Sequence, residues 1–146
     1  MNYLVDLDPT HSVIRLTVTA EIITLEMAEG VYNCLKRVAS HGGPYAAIYD
    51  LSVPKSTTLP TALIWSFARR PPSIPMGRTH VVVGNEPAMY RLARIFQMCP
   101  EALGRQIEGH KFEVVHSLEE AYDIVGVGVR PEAFTQRLFP KEKMAA

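Results

Sequence analysis

The sequence predicts a single α/β domain, a mostly parallel five-stranded sheet with one antiparallel edge hairpin and four helices, in the order ββαβαβαβα. Three observations predict it. Strand-like and helix-like segments alternate along the chain; the interior strands are short continuous apolar runs, as expected where both faces of a sheet are covered; and two alternating segments joined by a turn open the chain. With 146 residues, 47% of them apolar, the chain can bury about 68–70% of its unfolded surface around one core. The α/β domain is expected over residues 1–127, followed by a proline-punctuated C-terminal extension over 128–146 that is partly mobile.

Tyr3-Leu4-Val5-Asp6-Leu7 and Val13-Ile14-Arg15-Leu16-Thr17-Val18 are strand-like, and Asp8-Pro9-Thr10-His11-Ser12 between them favours a turn. Thr24 supplies an N-cap hydroxyl for a first helix whose apolar positions Leu25, Ala28, Val31, Leu35 and Val38 recur at helical spacing, with Gly42-Gly43 beyond its end. Tyr45 to Tyr49 reads as a buried strand that stops at Asp50. A polar, proline-bounded loop follows over Val53 to Pro60, then a short second helix from Thr61 to Ala68, which Pro71 and Pro72 bring to an end. Thr79 to Val83 is another buried strand. A third helix begins at Glu86 or Pro87, where proline belongs in the first turn, and runs to Cys99 with Met89, Leu92, Phe96 and Cys99 toward the sheet. Phe112 to Val115 is the last strand, and Ser117 with Glu120 forms a capping box for the last helix, which extends to Val125.

Fifteen basic side chains offset fifteen acidic ones, so no whole-molecule field draws the protein onto nucleic acid or an anionic membrane. Nucleic acid is not expected as a partner. The longest nearly uncharged stretch, Ser56 to Ala68, is too short to span a bilayer, so no membrane span is expected. No signal peptide is visible, and Cys34 and Cys99 read as buried free thiols of a reducing compartment; a cytoplasmic location follows. His11, His41, His80, His110 and His116 lack metal-ligand spacing, and the glycines form no phosphate-cradling loop. No metal and no cofactor are expected.

Two features suggest a surface for binding. Asp50 and the hydroxyls Ser52, Ser56, Thr57, Thr58 and Thr61 follow the carboxyl end of a central strand, where open α/β sheets bind ligands. Ordinary turn and cap residues would look the same, with Asp50 simply bonding the turn. In the second helix, Ala62, Leu63, Ile64, Trp65 and Phe67 leave little polar face, so this helix must be covered on more than one side: by the proline-rich loop and tail, by a second copy of the protein, or by an apolar ligand. Ile64, Trp65 and Phe67 join the candidate surface. Arg69, Arg70, Arg78, Arg91, Arg94 and Arg105 form either a basic rim on that side or a solvated face.

The order of elements, with Ile48-Tyr49-Asp50-Leu51-Ser52 ending a buried strand ahead of a loop and a short helix, resembles the STAS family over Tyr3 to Val125. It is most similar to the branch like stage II sporulation protein AA, sometimes grouped with the lipid-carrying SEC14 domains. The resemblance implies a non-enzymatic regulatory or protein-interaction module, like the anti-sigma-factor antagonists in which a partner kinase phosphorylates a serine after that loop. Here the family's Asp-Ser-Ser-Gly stretch would fall near Thr58, Leu59, Pro60 and Thr61, and the expected serine is missing. The expectation is therefore an interaction module, self-associating as a homodimer or binding a protein partner. The alternative is a carrier or sensor of an apolar or amphipathic small molecule. An enzyme is not expected, because no acid, base and nucleophile converge in the pattern.

Overall fold

The structure, a computed structural model, describes residues 2–75, 77–99 and 111–140. Strands β1 (Tyr3–Asp8) and β2 (Val13–Val18) form the opening hairpin. A two-residue strand β3 (Ile22–Ile23) precedes helix α1 (Leu25–Ala39), followed by β4 (Ala46–Asp50), the two-residue β5 (Ser56–Thr57) and α2 (Thr61–Ala68). Then come β6 (Thr79–Val83), α3 (Pro87–Met98), β7 (Lys111–Val115), α4 (Leu118–Val125), a single 3-10 turn at Pro131–Ala133 and β8 (Gln136–Phe139). The main sheet has six strands in the order β7-β6-β4-β2-β1-β8, and β3 pairs with β5 in a separate two-stranded clip. Strands β2, β4, β6 and β7 run parallel, whereas β1 is antiparallel to both β2 and β8.

The parallel strands step across the sheet in one direction, β2 to β4 to β6 to β7. Crossovers of a common hand then place their helices on one face, and α1, α2 and α3 do pack together there. Strand alternation sends Ile14, Leu16, Val18, Ala47 and Val82 into this layer, against Met27, Leu35, Ile64, Met89 and Ala93 of the helices. The alternate residues Val13, Ala46, Ile48, Val81, Val83 and Val115 point to the other face, where α4 covers them with Ala121 and Tyr122. Thr24 Oγ1 accepts the Met27 amide at 3.3 Å and Ser117 Oγ accepts the Glu120 amide at 3.2 Å, so both helix starts use the caps the sequence offers. Cys34 and Cys99 are both buried.

The sheet has one strand more than the sequence predicts. After α4 the chain turns through Gly128, which holds φ +85, a conformation that favours glycine. A Cβ at this position would also crowd His11 Nε2 at 3.2 Å. The chain then reaches the far edge of the sheet, where Gln136–Phe139 pairs with β1. Asp6, buried on the α4 face, accepts from Arg137 Nε at 2.5 Å and lies 3.5 Å from Arg15 Nη2. Arg15 also donates to the Tyr122 hydroxyl at 2.6 Å and stacks over Phe134 at 4.4 Å. Phe139 stacks on Tyr3 from the opposite face. Much of the extension thus belongs to the fold; residues 141–146 lie outside the described region.

Candidate functional site

The loop hydroxyls fill structural roles or stand alone in solvent. Asp50 is buried and its Oδ1 accepts the Ser52 amide at 3.0 Å, closing the turn after β4. Thr57 Oγ1 donates to the Ile23 carbonyl at 2.8 Å and accepts the Leu59 amide at 3.1 Å, which fixes the β3–β5 clip. Ser52, Ser56, Thr58 and Thr61 are exposed. Open α/β sheets bind ligands where the strand order reverses, and the parallel strands β2, β4, β6 and β7 step in one direction without such a point beside this loop.

Helix α2 behaves differently. Ile64 and Phe67 turn inward and are buried, Leu63 and Trp65 are half-buried, and Ala62 and Ser66 face solvent. Arg69 lies 5.8 Å from the Trp65 ring centroid. What the inward side chains meet is a void: a cavity of about 220 Å³ between the three-helix layer and the sheet. Its floor is Leu16 and Val18 of β2, Tyr49 of β4, His80 and Val82 of β6 and Phe112 of β7. All of these lie on one face by register, since Leu16 pairs with Tyr49, Tyr49 with Val82 and His80 with Phe112. Each covering helix contributes an alanine to the wall, Ala28 from α1, Ala68 from α2 and Ala93 from α3, and the void is the room a larger side chain would have filled. Leu92 and Phe96, expected against the sheet, line this space and remain half-buried.

The strap that follows α2 borders the mouth. Arg70 makes a two-pronged ion pair with Glu29 of α1, at 2.9 and 2.6 Å, while its guanidinium lies over Phe67 at 4.1 Å and Tyr32 at 5.2 Å. The Tyr32 hydroxyl donates to the Pro71 carbonyl at 2.6 Å, and Ile74 plugs the strap into the core. Hydrogen bonds from Arg70 hold the Glu29 carboxyl below the usual carboxylate range. Inside, the Tyr49 hydroxyl and His80 Nδ1 are 2.9 Å apart, the polar pair on an otherwise apolar floor. Burial pushes the Tyr49 phenol well above its ordinary pKa, so it stays protonated throughout the physiological range.

The described arginines differ in their partners. Arg70 is committed to Glu29, whereas Arg78 donates to the carbonyls of His11 and Ser12 at 3.1 and 2.9 Å and so ties the hairpin turn to the sheet. Arg91 and Arg94 are exposed on α3, and Arg105 lies outside the described residues, as does His110. Among the described residues no three His, Cys, Asp or Glu side chains gather as metal ligands, and no helix is long and apolar enough to cross a membrane.

No family model, curated protein or solved structure matches the chain. The functional reading therefore rests on the cavity.

Proposed function

We propose that this protein binds an apolar small molecule between its three-helix layer and its sheet, and acts as a carrier or sensor of it without catalysing a reaction. The observation that supports this most is the strapped apolar cavity of about 220 Å³. An engineered void of about 150 Å³ lined by Leu, Ile and Phe already admits benzene. A natural cavity of this kind forfeits packing energy unless something occupies it. The test is native mass spectrometry on protein purified from its own host, beside an Ala93→Phe variant that fills the space. A small-molecule adduct on the wild type that is lost in the folded variant supports the reading. An adduct that persists in the variant, or bare protein in both, contradicts it.

A second reading, the interaction module, draws support from a separate place. Ile22, Leu25 and Val53 are large apolar residues left 42–48% exposed; Ile22 belongs to the β3–β5 clip, and Leu25 and Val53 lie close to it in the chain. Inward rotation of Ile64 and Phe67 leaves α2 much less apolar surface for a homodimer, so a partner would meet the clip. Ile22→Glu combined with Val53→Glu should then abolish a protein complex while the small-molecule adduct survives.

A further inference from the structure

The polar groups of the cavity wall restrict the chemistry of whatever fills it. Among the described residues Arg70 is the one guanidinium on the wall, and Glu29 already engages it through two hydrogen bonds. An anionic ligand at the mouth would meet a guanidinium whose charge Glu29 already offsets. A cationic ligand would find no Asp or Glu among the described residues of the wall. Either charge would also give up its hydration to a lining that is almost wholly aliphatic and aromatic, an expensive transfer without a counter-charge. Tyr32 spends its hydroxyl proton on the Pro71 carbonyl.

That leaves Ser73 on the strap and, on the floor, the Tyr49–His80 pair, the two polar side chains that face each other across adjacent strands. The Tyr49 hydroxyl carries one proton and two lone pairs, and its contact with His80 Nδ1 uses one of these three. If His80 Nδ1 accepts, the Tyr49 oxygen keeps lone pairs for a donor in the ligand. If Nδ1 carries the proton and donates, the Tyr49 proton is left to point at an acceptor. A hydroxyl group satisfies both arrangements, and a carbonyl satisfies the second.

Resting on the reading of the cavity as a binding site, we infer that its ligand is an uncharged, compact apolar molecule, of about bicyclic-ring size, bearing one hydroxyl or carbonyl oxygen that bonds to Tyr49. Its apolar body lies against Leu16, Leu35, Leu92 and Phe96, and the oxygen is directed to the sheet and away from Arg70. Protonation of the buried phenol agrees with a neutral partner there.

Three probes of one shape test this: naphthalene, 1-naphthol and 1-naphthoate, titrated calorimetrically at neutral pH into the wild type and into Tyr49→Phe. The expected order is 1-naphthol tighter than naphthalene by about five- to tenfold, the worth of one neutral hydrogen bond. The carboxylate should be weaker than the alcohol by at least roughly tenfold, because its charge is buried without a counter-ion. Tyr49→Phe should remove the margin of the alcohol and leave naphthalene unchanged. Naphthoate binding as tightly as naphthol, or a naphthol margin that survives Tyr49→Phe, would overturn the inference while leaving the cavity as a site. If none of the three binds the wild type, the reading of the cavity as a site fails with it.

Discussion

The two faces of the sheet are built from the same strands but packed differently. On one, α4 lies close against Ile48, Val81 and Val83, each at 0% exposure, and Ala121 of the helix is equally enclosed. On the other, α1, α2 and α3 leave a cavity, and Leu92, Phe96 and Val31 remain half-buried around it. The residue types on the two sides are much alike, so hydrophobicity does not distinguish them. Fit does: a small residue on α4 lets the helix approach the sheet, whereas small residues on three helices that also brace one another leave space beneath them. One face is closely packed, and the other encloses a cavity.

Truncation should expose this contrast most strongly. Ile48→Ala on the closed face is expected to cost about 2–5 kcal/mol in chemical denaturation, because it opens a new cavity in packed surroundings. Leu92→Ala only widens an existing one and should cost below about 2 kcal/mol. Equal losses at the two sites would remove the distinction between the faces.

Enlargement gives the reverse contrast at smaller amplitude. Ala121→Leu should destabilise by about 1–3 kcal/mol, since nothing beside it can give way. Ala93→Leu enters the void and should leave stability unchanged or raise it by about 0.5–2 kcal/mol. A loss at Ala93 as large as that at Ala121 would mean the space is not available in solution.

The smallest expected effect concerns the strap. Because Glu29 titrates below its ordinary value, its pairing with Arg70 is fully present above the usual carboxylate range and is lost only as pH falls through the lowered value. Release of a bound apolar probe, followed by stopped-flow fluorescence, should therefore keep its neutral-pH rate through the usual carboxylate range and accelerate below it. Glu29→Gln should release faster at every pH. Acceleration already within the usual range would show that this ion pair does not hold the mouth.

Most of the closed architecture was legible in the sequence. Thr24 and Ser117 announce their helices, and the bounds Thr61–Ala68, Thr79–Val83 and Val13–Val18 agree with the periodic pattern. Strand β8 was not legible, because four residues at the end of the chain carry too little pattern, and what holds them is Arg137 meeting Asp6 across 131 positions. The clip β3–β5 has only two residues a side and is equally silent. For the site, the apolar crowding of α2 drew attention to Ile64 and Phe67, which line the cavity, whereas the strand order that bears on the hydroxyl loop cannot be read from the sequence pattern. The void itself was hidden because periodicity reports which side a residue faces and nothing about whether the facing side chains meet. Its trace in the sequence is an alanine on the inner side of each covering helix, at Ala28, Ala68 and Ala93.

Xenon titration followed by methyl NMR tests the central claim most directly, since xenon enters dry apolar cavities and ignores filled ones. Saturable shifts are expected for Leu16, Leu35, Ile64 and Leu92 around the cavity, with the methyl groups of Ile48, Val81 and Val83 on the closed face unmoved. Shifts of equal size on both faces, or none at either, would contradict a preformed binding cavity under the three helices.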